Sequence, residues 1–311
     1  MEVAHYPDDP RPARWHHPVL AIGNFDGLHR GHAKIIERIR RVAAERGFTP
    51  VVLTFDPHPP RVVRPEKAPP LLMTLDQKLE ALEKAGVQGV AIVRFTRELS
   101  QWEPERFVRA VLVDWLRVAE VWVGADFLFG RNRSGNFTLL RALAAQYNFR
   151  VEKIDPVRYK DFVVSSTRIR RLIAEGRVDE AGALLGRYAF IDGVVVPGSG
   201  RGRELGVPTA NLETKNELIP PHGVYATTVT IDRVVYAGVA NIGVRPTFGG
   251  EKTTIEVHVL GLDRDLYGRT LRVGFVQRLR DERRFPDVDA LKAQIEADIR
   301  RAQRLFDRLS V

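Results

Sequence analysis

The chain has 311 residues, 44% apolar and 28% charged, a globular composition long enough for two domains, which excludes collagen-like, mucin-like and largely disordered proteins. It contains no cysteine, so disulfide frameworks, thiolate metal sites and cysteine nucleophiles are excluded, and histidine and carboxylates remain as ligands or bases. Basic residues outnumber acidic ones, 48 to 39, and 39 of the 48 are arginine, which suits bidentate phosphate contacts as well as ordinary solvated helix faces.

The positive excess is shared by both halves of the chain and no basic tail carries it, so small phosphorylated ligands fit better than a nucleic-acid partner. No apolar run reaches the roughly 18 residues of a spanning helix, and the polar, proline-containing N-terminus lacks the pattern of a signal peptide. The expectation is a cytoplasmic protein that engages neither nucleic acid nor membrane.

Residues 1–18 carry four prolines and no periodicity and read as an irregular arm. A strand follows at 19–22, then a helix with Ile35, Ile36, Ile39, Val42 and Ala43 on one stripe, ending at Gly47. Residues 51–55 read as the next strand, and the prolines between 57 and 70 as an irregular stretch. Thr74 caps a helix that presents Leu75, Leu79 and Leu82 and stops at Gly86. Strand 87–95, helix 104–116, strand 120–123, helix 138–147 and strand 149–154 complete an alternation that specifies a parallel sheet covered on both faces. Beyond residue 187 the texture changes to short β-rich runs at 190–196, 223–230, 234–240, 254–260 and 271–279, separated by Gly, Pro and Asp turns. That pattern reads as a barrel or a sandwich. Residues 288–309 form a closing helix whose stripe of Leu291, Ile295, Ile299, Ala302 and Leu305 packs on it. The domain expectation is 1–186 and 187–311.

The densest signal is Gly-Asn-Phe-Asp-Gly-Leu-His-Arg-Gly-His at 23–32, where the strand at 19–22 turns into the first long helix. Ligands bind outside the carboxyl ends of parallel strands, and a helix N-terminus there offers free amides and positive potential to a phosphate. His29 and His32 flank Gly31, so two imidazoles can approach one anion where the backbone is unobstructed.

This string resembles the His-x-Gly-His signature of the nucleotidylyltransferases, in the form found in prokaryotic bifunctional riboflavin kinase/FAD synthetases. Thr-Phe-Asp-Pro-His-Pro at 54–59, Gly-Ala-Asp-Phe-Leu-Phe-Gly at 124–130 and Ser-Ser-Thr-Arg-Ile-Arg at 165–170 resemble that family's further motifs in order. The resemblance implies a Rossmann-like α/β domain that transfers AMP from ATP to FMN, giving FAD and pyrophosphate. It implies that His29 and His32 contact the ATP phosphates and that Arg170, in a helix capped by the Ser-Ser-Thr run, stabilises departing pyrophosphate. The ATP-side set it implies comprises Gly23, Asn24, Asp26, Gly31, Asp126, Ser165, Ser166 and Thr167, with Asn24 and Asp126 on adenine, ribose or magnesium. Phe55, His58, Phe127 and Phe129 are flavin-side candidates or core packing. Ala125 stands where the family often has Glu or Asn, so a polar contact there is missing.

The second signal begins in the strand at 190–196 and runs into a loop with Gly198, Gly200, Gly202 and Gly206, whose successive amides can meet a phosphate chain. It lacks the Gly-Lys-Ser/Thr ending of a Walker loop. Pro-Thr-Ala-Asn at 208–211, Gly-Val-Ala-Asn-Ile-Gly-Val-Arg-Pro-Thr-Phe at 238–248, Thr-Ile-Glu-Val-His at 254–258 and Leu-Tyr-Gly at 266–268 are similar to the riboflavin kinase module. This likeness, over 187–302, implies a six-stranded antiparallel barrel that phosphorylates riboflavin with ATP, releasing ADP. Glu256, whose neighbours Ile255 and Val257 face the other way, is then the general base, and Thr209 and Asn211 ligate Mg²⁺. Arg278 and Arg283 lie in the segment that the resemblance places beside the flavin.

Overall fold

Apolar runs too short to span more than one sheet layer, each followed by an amphipathic helix, can bury both faces of a strand only in a parallel sheet. The computed structural model, which describes residues 1–198, 202, 206–247 and 250–309, has this arrangement in the first of two compact units, Met1–Ser166 and Thr167–Val311. Its strands are β1 (Glu2–Tyr6), β2 (Val19–Ile22), β3 (Pro50–Asp56), β4 (Gly89–Arg94), β5 (Glu120–Gly124) and β6 (Arg150–Ile154). They form one sheet in the order β1-β4-β3-β2-β5-β6, every neighbouring pair parallel. From β2 the chain winds to one side through β3 and β4 and to the other through β5 and β6. The carboxyl ends of β2 and β5 therefore border the switch point where such sheets hold ligands.

Helix α1 (Arg30–Arg46) buries Ile35, Ile36, Ile39, Val42 and Ala43 against β2, β3 and β5 and ends on Gly47 in the left-handed conformation. One core joins Leu20, Ile22, Leu53 and Val93 of the sheet to Val108, Val111, Leu112, Leu140 and Leu143. The last five come from a helical segment that starts as α4 (Pro104–Phe107) and widens to a π-helix over Val108–Trp115, and from α5 (Phe137–Gln146).

Four expectations need correction. Residues 1–18 are not an irregular arm: β1 pairs with β4 from Glu2↔Gly89 to Tyr6↔Val93, so an edge strand hid among exposed residues and prolines. The helix expected over 104–116 is α-helical only over its first four residues. The irregular stretch contains α2 (Pro59–Val63). In α3 (Leu75–Lys84) the buried residues are Gln77, Lys78 and Leu82, so the packed stripe is rotated away from Leu75 and Leu79. A hairpin of β7 (Arg158–Tyr159) and β8 (Phe162–Val163), unmarked by periodicity, follows β6.

The second unit takes in most of α6 (Ser166–Ala174) and α7 (Val178–Leu185) together with strands β9 (Ala189–Val196), β10 (Ala210–Thr214), β11 (Gly223–Ile231), β12 (Val234–Thr247), β13 (Gly250–Val259) and β14 (Thr270–Arg280). These close an antiparallel barrel in the order β10-β13-β12-β11-β14-β9. The barrel settles the choice left open between barrel and sandwich. Its interior holds Ile191, Tyr225, Val229, Ile242, Ile255, Val257 and Phe275, with Val178 of α7 in the same core. Burial pushes the Tyr225 phenol up to about 12, and its hydroxyl donates to the Pro221 carbonyl at 2.6 Å. Helix α8 (Val288–Leu309) covers the outer face of β11, β12 and β14 through Ala302 and Phe306, which meet Val224, Ala226, Val276 and Leu279. A buried Asp298–Arg280 ion pair at 2.9 Å fixes that packing.

Candidate functional sites

The first site is built on the loop between β2 and α1. Phe25 (φ 49°) and Leu28 (φ 39°) hold the left-handed conformation that non-glycine residues avoid, and their buried side chains over-determine it. His29 is the N-cap of α1. Its Nδ1 accepts the His32 backbone N–H at 3.3 Å, so in the neutral ring the proton is on Nε2. The His29 and His32 rings stack at 3.7 Å with 14° between their planes, and Phe25 backs His32 at 5.0 Å. A Cβ on Gly31 would meet the His29 ring at 3.1 Å, so any larger residue would press on the stack. The first turn of α1 contains no acidic residue, which leaves its positive end to an anion.

The other first-unit candidates stand at the ends of β2, β3 and β5 and at the start of α6. Gly23 continues β2 and donates to Leu53 O at 3.1 Å, and the Asn24 carbonyl accepts from Thr54 Oγ1 at 3.1 Å. Asp26, buried, accepts from the backbone of Leu72 at 3.0 Å and of Met73 at 3.2 Å, so its carboxylate ties two loops together. Ser166 Oγ donates to the Asp26 carbonyl at 2.9 Å, with half-buried Ser165 next to it. At the end of β5, Asp126 is exposed with Oδ1 over Gly124, and Ala125 is exposed too.

Past β3, Phe55 meets Phe95 edge-on at 5.7 Å, and His58 is the buried N-cap residue of α2. Phe127 stacks on Phe129 at 5.3 Å, and both pack partly buried against the core, so these aromatics are core and rim at once. Thr167 and Arg170 belong to the second unit, on α6.

Lys78 is the residue that periodicity passed over. It is 8% exposed with Nζ at 3.4 Å from Thr54 Oγ1, and burial pushes its ammonium down against the opposing pull of Asp26 and Asp56. The available signal was a lysine three residues after Leu75 and four before Leu82, a position on the face of the helix that must be buried.

The second site is a polar row across the barrel wall. Register places Asn211 of β10 opposite Glu256 of β13, and Glu256 opposite Asn241 of β12. Their chain neighbours Ala210, Leu212, Ala240, Ile242, Ile255 and Val257 line the interior, so the three polar side chains share the outer face. The Glu282 carboxylate hangs over Gly243 close to the Asn241 amide. A Cβ on Gly198 would collide with the Asn211 side chain, and the Val207 N–H donates to the Gly202 carbonyl at 2.8 Å beside Thr209. Gly206 has φ 76°, and Gly200 lies outside the described residues.

His258, two residues beyond Glu256, donates Nδ1–H to the Pro208 carbonyl at 2.8 Å, which anchors the backbone next to Thr209. Arg278 is occupied by the His222 carbonyl at 2.6 Å and by Asp281 at 3.0 Å, whereas Arg283 lies over the Phe285 ring at 4.9 Å and bonds Gln294. Asn241 and His258 were within recognised motifs, but only the folded barrel shows that Asn241 adjoins Glu256 and that His258 anchors the backbone next to Thr209.

A parallel sheet with paired imidazoles at its switch point, followed by a closed barrel with a carboxylate between two amides, defines a two-module enzyme of nucleotidyl and phosphoryl transfer. Two family models match in that order: FAD synthetase over residues 11–168 and riboflavin kinase over 185–306. Bifunctional riboflavin kinase/FMN adenylyltransferases resemble the chain over most of its length, that of Pseudomonas fluorescens at 42% identity, covering 92% of each chain. The enzyme of Escherichia coli K12 is 38% identical (93% of this chain, 92% of its own) and that of Bacillus subtilis 35% (94% and 93%).

A crystal structure from Streptococcus pneumoniae, of a protein called macrolide-efflux protein, superposes with a TM-score of 0.89 at 29% identity, covering 97% of this chain and 99% of that one. Among the described residues no helix is long and apolar enough to cross a membrane. The chain belongs to the bifunctional riboflavin kinase/FMN adenylyltransferase family, and it phosphorylates riboflavin and adenylylates FMN.

Proposed function

We propose that the two reactions are divided between the two sites, and that the functional boundary falls near Gly186. The observation that supports this reading is the placement of unlike chemistry in separate compact units: stacked imidazoles at a helix N-terminus in one, a carboxylate flanked by two amides in the other. In adenylyl transfer an FMN phosphate oxygen attacks the α-phosphorus of ATP as the bond to pyrophosphate breaks. The nucleophile is already anionic, so alignment and charge stabilisation suffice. His29 and His32 meet the phosphates, and Asn24, Asp126, Ser165 and Ser166 surround the nucleotide. Asp26 acts on the shape of the loop, since its carboxylate is committed to Leu72 and Met73. Phe55, His58, Phe127 and Phe129 border the flavin.

In phosphorylation the nucleophile is a neutral ribityl hydroxyl. Its oxygen attacks the γ-phosphorus, ADP leaves, and Glu256 takes the proton. Gly198, Gly202 and Gly206 shape the loop over the ATP phosphates, and Arg278 and Arg283 border the flavin. Among the described residues no group of three or more His, Asp or Glu could hold a metal by itself. The half-buried oxygens of Thr209 and Asn211 suit Mg²⁺, which keeps phosphate oxygens and waters as its other ligands. Bound there, Mg²⁺ would neutralise charge developing on the phosphates. ATP supply places the enzyme in the cytoplasm, with riboflavin, FMN, FAD, ATP, ADP and pyrophosphate as its partners.

The test is to incubate the chain with riboflavin and MgATP and separate the flavins. Parental protein makes FMN and FAD. The His29→Ala/His32→Ala variant should stop at FMN, and Glu256→Gln should make FAD only from supplied FMN. The opposite pattern would overturn the division.

A further inference from the structure

Lys78 is a buried cation that neither reaction uses. Its ammonium, 8% exposed, faces the buried hydroxyl of Thr54 at 3.4 Å and feels the carboxylates of Asp26 and Asp56. Burying an ammonium is costly unless charge and hydrogen bonds compensate it, so its surroundings must be specific. Thr54 passes the interaction on. Its oxygen accepts from Lys78 and its proton goes to the Asn24 carbonyl at 3.1 Å. Asp26, two residues further, is held from the other side by the amides of Leu72 and Met73. Both lines of contact end in the loop that keeps Phe25 and Leu28 in the left-handed conformation and delivers His29 to the start of α1. Local preference opposes that conformation, so its neighbours must impose it.

We propose that Lys78 is a positioning residue for adenylyl transfer: its buried charge, acting through Thr54 on Asn24 and directly on Asp26, fixes the loop from which His29 and His32 project. It touches no reacting atom. The inference rests on the assignment of adenylyl transfer to the His29–His32 site.

The test uses the full chain with FMN and MgATP, with riboflavin phosphorylation as the internal control. Lys78→Met keeps length and packing but removes the charge, and kcat for adenylyl transfer should fall about 10- to 100-fold, the scale of a misplacement near 1 Å. KM for ATP should move less than threefold, because the loss is in transition-state alignment. Lys78→Arg should recover most of kcat. Thr54→Val removes the relay while leaving the charge, so it should lose less. Adding it to Lys78→Met should cost little more, since both act through one path.

A folded Lys78→Met protein with parental adenylyl transfer, or one that Arg does not rescue, overturns the proposal. If Lys78→Met does not fold, Thr54→Val decides: parental kcat in that variant overturns it equally. His29→Ala/His32→Ala is run beside them. Undiminished FAD synthesis there removes the site assignment and the proposal with it, whereas its loss alongside a normal Lys78→Met removes the proposal alone.

Discussion

Replacing Glu256 by Gln keeps the shape of the side chain and its place opposite Asn211 and Asn241, but removes its capacity to take a proton. Ile255 and Val257 still fill the barrel and β13 still pairs with β10 and β12, so the fold should lose no more than about 1 kcal/mol, a melting shift of roughly 2–4 °C. General base catalysis is worth about 10²- to 10⁴-fold, so riboflavin kinase turnover should fall by that factor while riboflavin binding survives. Stopped-time assays with chromatographic separation of flavins measure both steps on one sample. Supplied FMN should still become FAD at close to the parental rate, because that reaction consumes an existing phosphate. The decisive comparison is turnover against melting. If Glu256 only supports the barrel, the variant melts early and keeps its turnover below the transition. A folded Glu256→Gln protein that phosphorylates riboflavin at the parental rate would refute the assignment.

His29→Ala/His32→Ala should slow adenylyl transfer by about 10² or more and leave FMN formation intact, as judged by initial rates from each flavin. Gly31→Ala places a methyl group 3.1 Å from the His29 ring and should lower adenylyl transfer about tenfold through that displacement, with the helix itself unharmed in circular dichroism. A fragment of residues 167–311 should be a folded riboflavin kinase that makes no FAD. One starting at 187 loses α7 and the fully buried Val178, so its melting temperature should be lower, by the equivalent of about 1.5–3 kcal/mol for that side chain alone. The Tyr225 phenol, raised to about 12 from 10.0, binds its proton more tightly folded than unfolded. Stability should therefore fall as pH rises from about 10 to 12, and urea titrations of Tyr225→Phe should show a shallower fall.

What could be read from the chain before folding follows from what each residue must satisfy locally. Gly47 ends α1 in a conformation that glycine alone adopts easily, and the spacing of Ile35, Ile36 and Ile39 admits a single buried face, so that helix was legible to the residue. β1 was not, because an edge strand needs few apolar side chains, and Val3 and His5 look toward solvent. The widening at Val108 leaves no mark in the local periodicity, and the rotation of α3 buries Lys78, whose ammonium meets Thr54 and feels Asp26 and Asp56, residues distant in sequence. The same division runs through the sites. His29, Gly31 and His32 form one short motif with one local geometry. Asn241 and His258 matter because of partners 15 and 50 residues away in the chain: Asn241 comes into register with Glu256, and the His258 ring bonds the Pro208 carbonyl.

The two chemistries also explain why the sites differ in rigidity and composition. On the proposed division an anionic nucleophile needs only alignment, and a strained loop fixed by Thr54, Asp26 and a helix cap would present backbone and imidazole donors to the ATP phosphates. A neutral alcohol must lose a proton as it attacks, so a carboxylate must be oriented yet remain reachable. The outer face of a barrel strand provides that: Ile255 and Val257 lock the backbone from inside while Glu256 stays half-buried among amides outside.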